Sequence, residues 1–286
     1  MSKNETVAAV VVTYNRAKLL EECLRGVLAQ SRPLDVIYVI DNASQDGTQE
    51  LMQRMANEHS RIQYVRMDTN TGGAGGFAYG LSLAHQAGHS WYWLMDDDVE
   101  AYPKALEGLL RFGGRSECIH GVRTSPSGEV VEWGDTFDVN KVAVNPIAAP
   151  HFEHDDDAVE VEVGCFEGML ISHRVVSLIG YPDPEFFITW DDAFYGYLAS
   201  KHTKVIYANV LSLKRKTVLA MSSAKGFKKR AMYSMLGLLH VHRNRYLVAR
   251  KVKPSLSIFL IESLRVYVKS CMKELLVNRS VQLSLI

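Results

Sequence analysis

An α/β fold is predicted for this 286-residue sequence: a mostly parallel sheet flanked by helices, with a C-terminal helical extension. Three observations lead there. Short β-branched or aromatic runs alternate with helix-period segments through the first hundred residues, which implies right-handed crossovers between parallel strands. Polar residues recur where those runs stop. Charge then divides the chain: residues 1–213 carry 16 Lys+Arg and 30 Asp+Glu, whereas residues 214–286 carry 16 Lys+Arg and only Glu262 and Glu274.

The elements follow in order. Val7–Tyr14 is a continuous run of the kind buried on both faces of a parallel sheet. Leu19, Leu20, Cys23, Leu24, Val27 and Leu28 recur at helical spacing. Val36–Ile40 is the second strand and delivers Asp41 at its end. Ser44-Gln-Asp-Gly-Thr48 supplies turn and cap chemistry for a helix to about Glu58. Ile62–Met67 is the third strand, and Asn70-Thr-Gly-Gly-Ala-Gly-Gly76 opens a helix to about Ala87. Tyr92–Met95 is the fourth, followed by Asp96-Asp-Asp98. Residues 112–160, rich in Gly, Pro and acidic residues, are expected to loop over the sheet edge. Val161–Ile171 reads as a strand pair or strand-turn, and the pattern is helical from Arg230 onward. In the last helix Glu262, Arg265, Lys269 and Lys273 form a polar stripe, while Leu260, Leu264, Val268, Cys271 and Leu275 lie on another face. The expected division is residues 1–225 and a basic amphipathic extension, 226–286.

An apolar fraction of 47% suffices for a sizeable core. Cys23, Cys118, Cys165 and Cys271 form no paired motif, which suits a reducing compartment. The N-terminus lacks a signal-peptide layout and no apolar run approaches membrane-spanning length, so a cytoplasmic location is expected.

Parallel sheets bind ligands at the C-terminal ends of their strands. Thr13 and Tyr14, Asp41, Asp68 and Asn70, and Asp96–Asp98 all fall there. Three consecutive carboxylates repel one another unless a cation offsets them, and hard divalent ions take carboxylate oxygens. Asp96 and Asp98 share one side of an extended segment. Asp41 suits hydrogen bonds from a nucleoside, or alternatively caps the next helix. Gly73-x-Gly75-x-x-Ala78 satisfies a dinucleotide fingerprint, but it follows the third strand and not the first. These glycines therefore read as a close approach to a ligand or as helix–sheet packing.

Val10-Val-Val-Thr-Tyr-Asn-Arg16, Asp41-Asn-Ala-Ser-Gln-Asp-Gly-Thr48, Asn70-Thr-Gly-Gly-Ala-Gly-Gly76, Met95-Asp-Asp-Asp98 and Phe186-Phe-Ile-Thr-Trp-Asp-Asp192 resemble, in this order, the motifs of family 2 glycosyltransferases with the GT-A fold. The likeness covers about residues 7–215 and is greatest to bacterial galactofuranosyltransferases, then rhamnosyltransferases. It implies inverting transfer from UDP-galactofuranose, or from dTDP-rhamnose, with Asp192 as the base that deprotonates the acceptor hydroxyl. It assigns Thr13, Tyr14, Arg16, Asp41, Asn70, Gly73, Gly76, Asp96 and Asp97 to the donor. Asp96 and Asp98 would hold Mn²⁺ or Mg²⁺. Glu167, Trp190 and Asp191 would meet the acceptor, and Lys214 and Arg243 the diphosphate. Two positions depart from the pattern: Phe194 stands where many relatives are acidic, and Lys214 where they often have a metal-binding His.

The implied acceptor is a cell-surface glycan or a polyprenyl-diphosphate-linked glycan. The basic tail suits anionic lipid on the inner face of the cell membrane. Nucleic acid is not expected, because its aromatics do not interleave with its charges. A second copy of the chain is the other partner for its apolar face. A reading of a different class is a non-catalytic nucleotide-sugar-binding scaffold at the membrane.

Overall fold

The computed structural model describes residues 5–131, 134–147, 152–217 and 235–268. The chain forms two compact units: Met1–Thr136 with Pro146–Met232, and Phe137–Asn145 with Tyr233–Ile286.

The first unit begins with strict alternation: β1 (Val7–Thr13), α1 (Ala17–Leu28), β2 (Val36–Asp41), α2 (Thr48–Glu58), β3 (Ile62–Arg66), α3 (Gly72–Gln86) and β4 (Trp91–Asp96). The four strands pair in parallel in the order β4-β1-β2-β3. Every residue of β1 is buried, as its unbroken apolar run requires. Leu20, Cys23, Leu24 and Val27 face α1 inward at the spacing seen in the sequence.

Beyond β4 come β5 (Val99–Ala101), α4 (Ala105–Leu110), β6 (Cys118–Thr124), β7 (Val130–Val131), β8 (Asp135–Asp138), β9 (Ala143–Pro146), β10 (Ala158–Val161), β11 (Met169–Ser172), α5 (His173–Ile179), α6 (Asp191–Ser200) and β12 (Val205–Arg215). Here the sheet is mixed, continuing β4-β11-β6-β12-β10, while β8 and β9 pair separately. β11 is antiparallel to both β4 and β6, and β12 is parallel to β6. β6 and β12 therefore run with β4 and end at the same edge. The expectation of loops over residues 112–160 is corrected by β6, all seven residues of which are buried inside the sheet. Its pattern of Cys, Ile, His, Gly, Val, Arg and Thr hides a strand because the charge of Arg123 is accommodated by the distant Glu167, and His120 is buried with its Nε2 unpartnered among the described residues.

Apolar clusters cover both faces, one under α1, α2 and α4, the other under α3, α5 and α6. α3 lies unusually close to the sheet: a Cβ on Gly80 would fall 2.5 Å from Val10 Cγ1. The second unit contains α7 (Met235–Val252) and a helix over residues 256–268, here α8. Arg245 of α7 donates through Nε to the Val142 carbonyl at 3.0 Å and through Nη2 to that of Lys141 at 2.7 Å. Among the described residues no helix is long and apolar enough to cross a membrane.

Candidate active site at the strand ends

β4 delivers three carboxylates with three different surroundings. Asp97 turns inward and is 2% exposed; its Oδ2 accepts from Thr13 Oγ1 at 2.6 Å and its Oδ1 from Arg16 Nη1 at 3.1 Å. Asp98 Oδ2 shares that guanidinium at 3.1 Å and accepts from Thr217 Oγ1 at 3.0 Å. Asp96 has no side-chain hydrogen bond or ion pair among the described residues. Burial first, then the charges of Glu167, Asp98, Asp97 and Asp192, hold its carboxyl well above the usual range. Thr13, Arg16 and Asp97, all named from the sequence for the donor, are joined here, Thr13 and Arg16 each bonding Asp97.

α6 brings the second acidic group. Its first turn carries Asp191 and Asp192, so both adjacent carboxylates share a helix N-terminus, which favours anions. Burial outweighs that field and raises both acids. The charge of Asp192 adds to the shift of Asp191. For Asp192, the Ala193 N–H opposes the shift by donating to Oδ1 at 2.7 Å, and Glu167 adds to it. The approach to this turn is backbone under tension: Phe187, Thr189 and Trp190 have φ of 63°, 66° and 69°. Such left-handed residues cost about 1–3 kcal/mol each unless glycine, and they cluster where geometry matters. Trp190, expected at the acceptor, is half-buried as the residue that enters α6.

The glycine-rich start of α3 locks onto this segment. Gly72 has φ 73°, and a Cβ there would lie 2.0 Å from the Phe187 carbonyl oxygen. Ala74 N donates to that carbonyl at 3.1 Å. A Cβ on Gly73 would reach Asp191 Oδ2 at 4.0 Å, so the loop borders the acid pair. Gly76, also named for the donor, packs against Val12, where a Cβ would meet Cγ1 at 2.6 Å.

Glu167 precedes β11 and is clamped. Its Oε2 accepts from Arg123 Nη1 at 2.6 Å, Arg215 Nε at 2.8 Å and Arg215 Nη2 at 2.5 Å. Arg123 Nη1 also lies 3.2 Å from Cys165 Sγ. Named for acceptor contact, Glu167 is held by two buried arginines that sequence reasoning missed as functional. Arg215, adjacent to the Lys214 named for the diphosphate, is the cation of this stretch that pairs with Glu167. β12 is irregular between Ala208 and Leu211 and between Leu211 and Leu213. Lys214 joins none of these ion pairs, and Lys216 bonds Glu100 and Glu22, each at 2.8 Å.

The end of β2, expected from the sequence to meet a nucleoside, is tied down by hydrogen bonds. Asp41 is fully buried; Ser44 N donates to Oδ1 at 2.8 Å and Tyr64 Oη to Oδ2 at 2.7 Å. Asp41 thus holds the turn to Ser44 and does not cap α2, whose N-cap is Gly47 without a side-chain hydrogen bond, so the helix-cap alternative is not the role it takes. Asn42, not singled out from the sequence, ties the glycine loop down: its Nδ2 donates to the Gly72 carbonyl at 3.0 Å and its Oδ1 accepts from Thr71 Oγ1 at 2.9 Å. Asn70 Oδ1 accepts from Gly72 N at 2.8 Å, and Tyr14 remains exposed at the rim. Arg243 stands on α7 in the second unit, its Nε on Asn244 Oδ1 at 3.0 Å.

Among the described residues no three His, Cys, Asp or Glu side chains are arranged to hold a metal alone. The chemistry still fits one. Asp96 is a repelled carboxylate without a cation, beside Asp98, and Mg²⁺-like ions commonly use one or two carboxylates with water and substrate phosphates.

The model of Glycosyl transferase family 2 matches residues 8–170. The chain is 40% identical over 98 residues to a galactofuranosyltransferase of Mycolicibacterium smegmatis, covering 34% of this chain and 32% of that protein. An undecaprenyl-phosphate mannosyltransferase of Micrococcus luteus is 28% identical over 127 residues, 44% of this chain and 52% of that one. These alignments thus span about a third to a half of the relatives' length. The structure of GalNAc-T7 with UDP, GalNAc and Mn²⁺ is similar at a TM-score of 0.61 and 13% identity, covering 75% of this chain and 44% of that one. S. aureus TarS 1–349 with UDP-GlcNAc gives 0.58 at 15% identity, covering 86% and 65%.

Proposed function

We propose, since the chain belongs to glycosyl transferase family 2 and has the GT-A fold, that it is an inverting glycosyltransferase moving a sugar from a nucleotide sugar to an acceptor hydroxyl. The observation that carries this is the gathering of Asp96, Asp191, Asp192 and Glu167 at one sheet edge, with Asp96 and Asp192 both pushed toward the protonated form. Asp192 is the base: its raised pKa makes it a better proton acceptor once ionised, and the strained 187–190 segment holds it. The acceptor oxygen, losing its proton to Asp192, attacks the anomeric carbon, and the nucleoside diphosphate leaves. Asp96 and Asp98 would hold Mn²⁺ or Mg²⁺, which offsets the charge developing on the diphosphate. Arg123 and Arg215 keep Glu167 fixed behind them.

Galactofuranose from UDP-galactofuranose is the donor favoured by the resemblance of motifs and by the mycobacterial relative; dTDP-rhamnose is the competitor. The acceptor is a cell-surface or polyprenyl-diphosphate-linked glycan at the inner face of the membrane, where the basic C-terminal part docks. Asp192→Asn should lower transfer about 10²–10⁴-fold and leave donor binding intact. Thermal shift with UDP-galactofuranose, dTDP-rhamnose and UDP, with and without Mn²⁺, identifies the donor. Full transfer by Asp192→Asn removes the base. Nucleotide-sugar binding with no transfer by the wild type leaves a non-catalytic scaffold.

A further inference from the structure

We propose that the second unit docks on an anionic lipid surface through one face of α8, which deepens the membrane part of the reading above by naming its element. Leu256, Leu260, Ile261, Leu264, Tyr267 and Val268 are each between 45% and 70% exposed. At 3.6 residues per turn they fall within an arc of about 140°, over three turns. No charged residue lies in that arc. The opposite side is the packed one: Phe259 is buried, with the Arg245 guanidinium 5.9 Å from its ring centroid. Single exposed leucines need no account, whereas a contiguous face of six large apolar side chains does.

Charge selects the occupant. Over residues 235–268, Arg243, Arg250, Lys251, Lys253 and Arg265 are exposed cations, and Glu262 is the sole acid. A second copy meeting this face about a twofold axis would bring like charges together. An apolar arc on a unit whose exposed charges are mostly cations, with Arg265 paired to Glu262 at 3.2 Å, instead suits the boundary between anionic headgroups and acyl chains. Lys253 and Pro254 set the junction: α7 ends there with Lys253 at φ 51°, and α8 starts afresh.

The test is co-sedimentation of the full chain with phosphatidylglycerol–phosphatidylethanolamine vesicles and with phosphatidylcholine vesicles. Wild type should bind the anionic vesicles at least about tenfold more strongly, less so in high salt. Leu260→Glu/Leu264→Glu should lose about tenfold or more of that binding. Both side chains are exposed, so the UDP-induced thermal shift serves as the folding control and should not change. Equal vesicle binding by the double variant and wild type overturns the proposal, as does wild type that ignores anionic vesicles. A dimer seen by light scattering and dispersed by the same substitutions, without vesicle binding, also overturns it and gives the face to a second copy. Vesicle binding without any nucleotide-sugar response would keep the docking face and remove the glycosyltransferase reading.

Discussion

Two buried charge clusters meet at the strand ends and are built in opposite ways. In one, Glu167 receives three N–H bonds from Arg123 and Arg215, so a carboxylate is surrounded by more cation than it needs. In the other, Asp96 makes no ion pair among the described residues, and Asp191 and Asp192 have backbone N–H groups against their own mutual repulsion. The first arrangement locks three elements: β6, the segment before β11, and the end of β12. The second stores an unfavourable ionisation, which the proposed cation and the proposed proton transfer would relieve. Compensated charge ties elements together here, and uncompensated charge gathers where the chemistry is proposed.

If that contrast is right, removing a charge from each cluster changes stability with opposite sign. The largest effect should come from Arg123→Met, which breaks a buried ion pair; such losses cost about 3–5 kcal/mol. The melting temperature should fall by about 6 °C or more, whether or not nucleotide is present. Asp96→Asn should instead raise it by about 2–4 °C, because a repelled buried charge disappears. The same variant should lose at least about a hundredfold in transfer, and Mn²⁺ with UDP should stabilise it less than wild type. Calorimetry on the two variants decides: a fall in both would erase the distinction between the clusters.

The parallel half of the fold could be read from sequence because each of its strands is a local signal. β1, β2 and β4 are unbroken apolar runs ending in polar residues, and α1 shows its buried face at helical spacing. β6 could not be read so. His120, Gly121 and Arg123 look like loop residues until Arg123 finds Glu167, 44 positions away, and Gly121 lets Ser212 approach, where a Cβ would meet Ser212 Cβ at 2.7 Å. The acidic residues of the site were visible as motifs. Which of them are already satisfied was not, since Thr13–Asp97 and Asp41–Tyr64 are long-range pairs. Nor were Arg123 and Arg215 visible as partners of Glu167, since they lie 44 and 48 positions from it.

The smallest predicted effect tests the same contrast through pH. Asp96, Asp191 and Asp192 have folded-state pKa values raised by burial. Groups of this kind stabilise the fold fully below their ordinary unfolded values, near 4, and lose that contribution as pH rises through the raised ones. Other groups run the opposite way: burial, with Arg123 adding to it, pushes His120 down to about 3, so its contribution is present above about 6.5 and lost as pH falls. A melting curve of wild type alone therefore mixes both signs. The difference between Asp96→Asn and wild type does not, since His120 is common to both chains. That difference should widen by about one or two degrees between pH 5 and pH 8, as the wild-type carboxyl is forced to ionise. The rate should follow the partner acid: kcat/KM must fall with decreasing pH along a limb above the ordinary carboxylate range, because protonated Asp192 cannot accept the acceptor's proton. A stability gap independent of pH, with a rate limb near 4, would mean that Asp96 and Asp192 ionise freely, and the uncompensated cluster would lose its claim to the chemistry.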